Sequence, residues 1–413
     1  MRSDRLATAL SIVLMTTAFH LCANDQDHAS RPFAPIPTVI SADCWGHWPE
    51  NVLAAVVGCK TADGANRQRL WVIDDAQGPV RVGLSPHCQG LTCATLTQVL
   101  SAVPERRLLL QTPATRLNAV VAAVNSAQAQ ARIEIEPILH HPQGSSPPIA
   151  LGPGVRYWRE HLHTPATVML HIVEVDLDTP GLQLVSTPKH QQDGSAFIAR
   201  PTTGFVRDEH LLVAINADYF LPFDGGHLLD QPFIPIAGQP VNTQGLAISR
   251  GTRISPALTD DRRVNAALCV DARGHAQIRR GDCPHGTRLG IGAGPLLLLN
   301  GQRQARESSR ADYYQHPQPR TAIGLDRRHR HLWLVVADGR QPGYSEGLSL
   351  DALTEVFERL GADAAMNLDG GGSSILAATV AGEVRILNSP IHTGIPGRER
   401  PVANHLGVRI QHP

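Results

Sequence analysis

The sequence predicts a mixed α/β protein, with a partly parallel sheet flanked by helices in its C-terminal part and a smaller α/β unit before it. Residues 331–337 (HLWLVVA) form an apolar run of strand length, residues 349–360 space their apolar side chains as a helix does, and residues 364–368 are extended again. A strand, a helical crossover and a second strand make neighbouring parallel strands. We therefore expect Asp338 and Asp369, which end the two strands, at the same sheet edge.

Two further patterns predict elements beside that unit. Residues 319–326 (PRTAIGLD) place Arg320 and Thr321 just before a strand that is expected to pair with residues 331–337. Asn300-Gly301 follows the apolar run 296–299 and is the strongest short hairpin signal in the chain.

Composition describes a globular chain without a strong electrostatic preference. Of 413 residues, 42% are hydrophobic, and 37 basic residues balance 37 acidic ones. The length is ample for two domains, and the absence of excess positive charge argues against nucleic acid or an anionic membrane as partner. The 36 glycines and 31 prolines predict many turns, as in an elaborated sheet protein.

Residues 1–23 are typical of a cleaved signal peptide. Arg2 and Arg5 precede an apolar run, residues 6–18, that is too short to span a bilayer, and Ala23 is a suitable cleavage position. An uncleaved anchor is the alternative. We expect a secreted or periplasmic protein of the cell envelope, with no stable membrane insertion after cleavage, and a polar, Pro-rich tether over residues 24–40.

The cysteines outside the signal peptide are even in number, which favours disulfides in an exported chain. The sequence cannot choose among the connectivities, but nearness along the chain favours three pairs. These are Cys44 with Cys59, Cys88 with Cys93, and Cys269 with Cys283. No C-x-x-C pair occurs, so a zinc site is not expected.

Residues 41–142 are expected to form the small α/β unit. Fragments of this unit resemble the glycerophosphodiester phosphodiesterase family, although the family's His-Arg-Gly is replaced by Asp43-Cys44-Trp45-Gly46 and its acidic metal ligands are missing. The unit is therefore interpreted as a degenerate relative, and catalysis by it is kept only as an alternative. Residues 143–149 form a linker, and residues 150–413 form the second domain.

The second domain carries seven motifs in a fixed order. They are INADYF (215–220), GLAIS (245–249), GAGPLLLLNG (292–301), PRTAIGLD (319–326), VVADGR (335–340), MNLDGGGSS (366–374) and RPVANHLGV (400–408). Together they resemble the phosphodiester glycosidase family, whose members cleave the bond between a sugar's C1 and a phosphodiester oxygen. In the best-known member of that family the first motif reads like Asn-Gly-Gly-Tyr-Phe, so Ala217 and Asp218 are departures that put the identity of the substrate in doubt.

The resemblance implies a site at the glycine-rich turn. A carboxylate must act as nucleophile or activate water, so we predict Asp369, Asp338 and Asp218 as the catalytic residues, with Asp218 and Asn216 also suited to sugar hydroxyls or a metal. A cationic, N–H-rich cradle must hold the phosphate, and Arg320 is the expected bidentate clamp. The predicted binding residues are Arg320, Thr321, Asn216, Tyr219, Arg340, Asn367, Gly370, Gly371, Gly372, Ser373 and His405.

Purely structural roles are the alternatives for several of these residues, and a non-catalytic function is the alternative for the domain. Asp338 could simply cap the turn at Gly339, Arg320 could pair with a structural carboxylate, and Ser373 could be a turn residue. No cofactor is required, while the nearby carboxylates leave room for a divalent cation, calcium or magnesium. The expected partner is a sugar phosphate or an envelope polysaccharide. A non-catalytic module that binds such a polysaccharide is the competing function.

Overall fold

The computed structural model describes most of the second domain and part of the first. The described residues are 70–73, 80–84, 108–113, 121–122, 125, 133–138, 144–163, 166–190, 196–221, 237–258, 264–305, 314–341, 344–392 and 397–411. The predicted signal peptide, the tether and the pairs Cys44–Cys59 and Cys88–Cys93 lie outside them. Within the described residues, no helix has both the length and the apolar character needed to cross a membrane.

The chain divides into two compact units. One comprises residues 1–84, 88–111 and 116–136, and the other comprises residues 85–87, 112–115 and 137–413. A four-stranded sheet has the order β1-β2-β3-β4, in which β1 and β2 are antiparallel and β2 and β3 are parallel. Its strands are β1 (Leu70–Ile73), β2 (Val80–Leu84), β3 (Leu108–Pro113) and β4 (Ile133–Ile138).

The second unit is built on an eight-stranded sheet in the order β19-β18-β22-β20-β21-β7-β6-β5. Its strands are β5 (Ser146–Gly152), β6 (Val155–Leu162), β7 (Val168–Asp176), β18 (Leu296–Leu299), β19 (Gln302–Arg303), β20 (Arg320–Leu325), β21 (His331–Ala337) and β22 (Ala364–Asn367). β20 pairs antiparallel with β21 on one side and with β22 on the other. β21 and β22 therefore run in the same direction with β20 between them.

A five-stranded sheet in the order β24-β23-β10-β25-β8 supplies the other half of the site described below. Its strands are β8 (Leu182–Ser186), β10 (Val213–Asn216), β23 (Leu376–Val380), β24 (Glu383–Ile386) and β25 (His405–Ile410). The central strand β10 pairs antiparallel with both β23 and β25. The end of β10 and the beginnings of its two neighbours consequently share one edge.

Two smaller sheets complete the unit, with the orders β14-β13-β17-β15-β16 and β11-β12-β9. The first contains β13 (Ala247–Ser249), β14 (Thr252–Ser255), β15 (Ala266–Val270), β16 (Ala276–Arg280) and β17 (Leu289–Ala293), and the second contains β9 (Phe197–Ile198), β11 (Phe220–Leu221) and β12 (Pro240–Thr243). The structure contains the predicted disulfide between Cys269 and Cys283. One large apolar core, which includes Ile215, Ile291 and Met366, draws on three of these sheets.

The predicted helix is present as α2 (Leu350–Leu360), after the shorter α1 (Thr202–Asp208). The Ser349 hydroxyl caps α2 by accepting a hydrogen bond from the Ala352 N–H at 3.1 Å, and Gly361 ends the helix in the left-handed conformation. The apolar face of α2 is buried, with Leu353 and Phe357 completely covered.

The predicted fold class needs correction. Every pairing of named strands in the second unit is antiparallel among the described residues, and the sheets dominate over the two helices named above. A parallel sheet flanked by helices is therefore wrong for this unit. The pattern of strand, helix and strand is consistent with adjacent parallel strands. In the structure, however, β20 lies between β21 and β22 and forms backbone hydrogen bonds with both.

Candidate active site

The candidate site lies where the edges of the eight-stranded and five-stranded sheets meet. The segment from β22 to β23 passes from one sheet to the other through the glycine-rich turn. The Asp369 N–H donates to the Ala217 carbonyl at 3.0 Å, and the Asn216 Nδ2 donates to the Asp369 carbonyl at 2.6 Å. The two peptide groups that flank the Asp369 Cα are thus both hydrogen-bonded to residues at the end of β10.

Asp369 is half-buried at this seam, and its carboxylate has polar partners. Burial raises its pKa to about 6, while hydrogen bonds from the Ser373 hydroxyl and the Gly370 N–H and the charges of Arg400 and Arg340 oppose that rise. A carboxylate that titrates near neutrality and reaches solvent is suited to proton transfer or nucleophilic attack.

Two arginines lie against the glycines of the turn. The turn is a short 3-10 helix over Gly371–Ser373, and Gly371 has a φ of +60°. A Cβ atom on Gly371 would lie 3.1 Å from Nη2 of Arg340, and one on Gly372 would lie 2.5 Å from Nη2 of Arg400. A side chain on Gly372 would overlap the Arg400 guanidinium, and one on Gly371 would crowd that of Arg340, so the two glycines let both cations lie close to the turn.

Arg400 is held in place by two directed hydrogen bonds. Its Nη1 donates to the Ser373 hydroxyl at 3.1 Å, and its Nε donates to Nδ1 of His392 at 3.1 Å. Burial lowers the pKa of Arg400 to about 10, so the guanidinium remains charged at neutral pH. Arg340 is exposed, and its Nε donates to Oε1 of Gln318 at 2.7 Å.

The sequence prediction missed Arg400 and His392. A signal for Arg400 was present, because it opens the motif RPVANHLGV. No sequence pattern pointed to His392.

Asp218 is close enough to Asp369 for the two carboxyl groups to influence each other, but it is buried in the protein. One carboxyl oxygen accepts from the Gly292 N–H at 3.0 Å, and the other accepts from Nδ2 of Asn404. Burial, with a smaller contribution from the negative charge of Asp369, raises the pKa of Asp218 to about 8 against these hydrogen bonds. Asp218 therefore retains its proton at neutral pH. With 1% of its surface exposed, it has little access to a ligand.

Asp338 is the centre of a buried polar network. Its carboxylate accepts hydrogen bonds from His171 Nε2 at 3.0 Å, from the Tyr344 hydroxyl at 2.9 Å, from Asn388 Nδ2 at 2.9 Å and from the Ser389 N–H at 2.9 Å. Burial raises its pKa, but the neighbouring His171 and the hydrogen bonds outweigh burial and hold the pKa below its ordinary value. Both carboxylate oxygens are occupied by protein donors, which favours a structural role.

A second histidine contact extends this network. Nδ1 of His171 lies 2.9 Å from the hydroxyl of Tyr157, so the imidazole joins the phenol to the Asp338 carboxylate. Burial also raises the pKa of Tyr157. Asp338 follows β21 directly and lies two residues before Arg340, so the network fixes the end of β21.

Arg320, Thr321 and Asn216 support the seam from within the protein. Arg320 is buried and donates from Nε to the Leu348 carbonyl at 3.0 Å and from Nη2 to the His316 carbonyl at 3.3 Å. The Thr321 hydroxyl donates to Oδ1 of Asn216 at 2.8 Å. These contacts favour a supporting role for Arg320, whereas Arg340 and Arg400 lie against the turn.

Tyr219 and Asn367 meet beside the carboxylates. The Tyr219 hydroxyl donates to the Gly294 carbonyl at 2.8 Å and lies 2.9 Å from Nδ2 of Asn367. The Tyr219 ring is half-buried, so its phenol is fixed while part of the side chain faces solvent.

His405 lies away from solvent, in the layer behind the site. Its ring stacks on Phe205 with 4.7 Å between centroids, and its Nδ1 lies 2.8 Å from the Thr187 hydroxyl. Burial, with the positive charge of Arg200, holds the pKa of His405 well below its ordinary value. These contacts favour a packing role over contact with a phosphate.

Among the described residues, no group of three or more His, Cys, Asp or Glu side chains converges as a metal site does. What does converge is one half-buried carboxylate, two guanidinium groups, a hydroxyl and a side-chain-free turn. This set is suited to a ligand that carries a phosphate next to a carbon open to attack.

The family model for phosphodiester glycosidases matches residues 209–409. The match spans the segment that holds the site, and the resemblance carried by the sequence motifs is confirmed. No curated protein matches the chain significantly.

The chain also resembles three solved structures at low sequence identity. A hypothetical protein from Synechocystis is 17% identical with a TM-score of 0.42, and the match covers 62% of each chain. The zebrafish N-acetylglucosamine-1-phosphodiester alpha-N-acetylglucosaminidase catalytic domain, auto-inhibited by pro-peptide, is 18% identical with a TM-score of 0.46, covering 67% of this chain and 90% of that one. A protein of Burkholderia pseudomallei described as exported is 13% identical with a TM-score of 0.47, covering 66% and 98%.

Proposed function

We propose that this protein hydrolyses a sugar-1-phosphodiester by cleaving the bond between C1 of the sugar and the phosphate oxygen. The observation that carries the proposal is the half-buried Asp369 carboxylate, with a pKa raised to about 6, beside the guanidinium groups of Arg340 and Arg400. The family match of residues 209–409 supports the same chemistry.

The phosphate is assigned to the two arginines at the turn. Arg400 is anchored and partly desolvated, which strengthens its attraction for an anion, while Arg340 is more exposed and closes the other side. Gly371 and Gly372 leave the space between these cations free of side-chain atoms. Arginine forks match phosphate oxygens geometrically, and they stabilise the charge that develops on the leaving phosphate.

Asp369 is assigned to the reaction at C1. In the proposed step the bond from C1 to the phosphate oxygen breaks, its electron pair remains on the phosphomonoester, and an oxygen from water becomes the C1 hydroxyl. The carboxylate either takes the water's proton or first attacks C1 itself. The anomeric configuration of the first product distinguishes these routes, since inversion indicates the base and retention the nucleophile.

The other predicted carboxylates receive indirect roles in this proposal. Asp338 orients the segment that leads to Arg340, because four protein groups donate to its oxygens. Asp218 remains protonated and therefore neutral beside Asp369, and its oxygens hold the Gly292 N–H and the Asn404 side chain in place. Both are thus positioning residues.

The substrate is proposed to be an N-acetylglucosamine-type sugar phosphate or a phosphodiester-linked envelope polysaccharide. Tyr219 follows Asp218 in the chain and packs in part against the apolar core, and the exposed part of its side chain is proposed to contact the sugar. Export to the cell envelope, which the signal-like residues 1–23 favour, would bring the enzyme to such polymers.

The test is release of free sugar from UDP-N-acetylglucosamine and from a synthetic N-acetylglucosamine-1-phosphomethyl ester. The mature chain is compared with Asp369→Asn and with Asp351→Asn, a matched control on the exposed face of α2. We expect the parent and the control to release sugar and Asp369→Asn to lose turnover while still binding the ester.

Other outcomes select the other functions. If the parent and Asp369→Asn bind the ester equally well and neither releases sugar across a panel of sugar-1-phosphodiesters, the domain is a binding module. If a metal-dependent release of glycerol phosphate survives Asp369→Asn, the activity belongs to the unit over residues 41–142.

A further inference from the structure

We propose that His392 is a positioning residue that orients Arg400 for phosphate binding, an inference that rests on the proposed function of the site. His392 is 1% exposed and lies on a segment joined to the residues before Arg400. Ile391 forms a parallel bridge with Arg398, and the His392 N–H donates to the Arg398 carbonyl at 3.1 Å. The backbone thus brings the imidazole beside the arginine.

The guanidinium of Arg400 is held by two directed hydrogen bonds. Nε donates to Nδ1 of His392, and Nη1 donates to the Ser373 hydroxyl. Nη2 lies 2.5 Å from the position that a Cβ atom on Gly372 would take. A guanidinium is planar, so two directed hydrogen bonds determine both its plane and its rotation within that plane. Without the hydrogen bond at Nε, the Arg400 guanidinium would no longer be held in one orientation.

The contact at Nε requires a neutral imidazole with its proton on Nε2, because only an unprotonated Nδ1 can accept a hydrogen bond. Burial, together with the positive charges of Arg400 and Arg398, holds the pKa of His392 well below its ordinary value. His392 therefore accepts from Arg400 throughout the neutral pH range, and it does so without neutralising the guanidinium charge.

Through Ser373, this contact reaches the reactive carboxylate. The Ser373 hydroxyl accepts from Arg400 and donates to Asp369. One chain of hydrogen bonds therefore connects a buried histidine, the phosphate-binding arginine and the carboxylate at C1. A carboxylate in place of His392 would also accept from Nε but would compete with the phosphate for the positive charge, whereas an imidazole does not.

The test compares His392→Asn with His392→Leu. The amide oxygen of Asn can occupy the place of Nδ1 and accept from Nε, while Leu fills similar space without an acceptor. Affinity for methyl phosphate is measured by calorimetry, kcat and KM are measured on the sugar-1-phosphomethyl ester, and the thermal unfolding midpoint is recorded. If the Leu variant does not fold, His392→Met replaces it as the variant without an acceptor.

We expect the variant without an acceptor to bind methyl phosphate about tenfold more weakly and to show a similar rise in KM, as the loss of a hydrogen bond to a charged group predicts. We expect His392→Asn to retain phosphate affinity close to that of the parent. Equal phosphate affinity in all three proteins, or losses in both variants that follow only the unfolding midpoint, would overturn the proposal.

The binding readout separates this inference from the proposed function. If the parent binds methyl phosphate in a manner that depends on the acceptor at position 392 and yet cleaves no sugar-1-phosphodiester, the positioning role stands and the hydrolase function fails. If the parent cleaves the ester and the Leu variant binds and turns over as the parent does, the hydrolase stands and the positioning role fails.

Discussion

Replacing Ser373 with alanine is expected to shift the acidic limb of activity toward higher pH. Asp369 must be ionised to act as base or nucleophile, so activity falls as pH decreases through its pKa of about 6. The Ser373 hydroxyl donates to the ionised carboxylate and is the first of the influences that oppose the effect of burial. Without that donor the ionised form loses stabilisation and the pKa rises.

The size of the shift follows from one hydrogen bond to a charged group. Such bonds contribute about 1.5–3 kcal/mol, and one pKa unit corresponds to about 1.4 kcal/mol. Because Asp369 is only half-buried, we take the lower end of this energy range. We therefore expect the midpoint of the acidic limb of activity to rise by about one pH unit. At pH 6 the ionised fraction then falls from about one half to about one tenth, a fivefold loss, whereas at pH 8 the two proteins differ little.

The assay is the pH profile of kcat/KM, which reports the free enzyme. Ser373 also accepts from Arg400, so the variant should lose some kcat/KM at every pH, but this loss leaves the midpoint unchanged. Ser374→Ala is the matched control, because the neighbouring hydroxyl is buried and makes no hydrogen bond within the described part of the chain. An unchanged midpoint in Ser373→Ala, or the same shift in the control, would refute the assignment of Asp369.

Three further predictions concern the structure around the site. Asp338→Ala should lower the free energy of unfolding by about 3–5 kcal/mol in denaturant titrations, because it leaves buried donors unpaired. Gly372→Ala should raise KM at least about tenfold by displacing a guanidinium, whereas Gly204→Ala, which meets no neighbouring atom, should not. Replacing both Cys269 and Cys283 with serine should cost about 3 kcal/mol of stability by calorimetry and leave kcat unchanged.

Contrary results would be equally specific. An Asp338→Ala protein that is as stable as the parent but inactive would return that carboxylate to the catalytic step. A Gly372→Ala protein with an unchanged KM would show that the guanidinium against this glycine does not bind the phosphate.

Local patterns predicted the local elements well. The strand over residues 331–337 and the helix with its Ser349 cap and Gly361 stop are where apolar periodicity and capping chemistry place them. The Asn300-Gly301 turn joins β18 to β19, with both residues at positive φ. These signals act over a few residues and need no knowledge of the remaining fold.

The order of strands could not be obtained in the same way. The sequence predicted that residues 319–326 pair with residues 331–337, and they do. It also predicted β21 and β22 as neighbours, but β20 lies between them. The residue pattern of a strand does not indicate which other strands pair with its two edges. Asp338 and Asp369 still follow strands that run in the same direction.

The arginines illustrate a second limit of sequence reasoning. Arg320 is the first residue of the buried strand β20 and was the expected phosphate clamp, but its guanidinium donates to backbone carbonyls. Arg400 comes from the last motif and reaches the turn only because β23 and β25 flank the same strand. Motif membership identifies residues that matter, while the direction of a long side chain depends on tertiary contacts.

The fastening of Asp369 to the end of β10 has a consequence for substrate binding. Its peptide N–H and carbonyl are both committed to the neighbouring sheet, so the residue is left with side-chain rotation alone, and the Ser373 and Gly370 donors restrict that as well. The conformational entropy that must be lost to orient the carboxylate is lost when the domain folds and not when the substrate binds. A substrate that enters the seam therefore finds the reactive group already oriented, and its binding free energy is available for distorting the sugar toward the transition state.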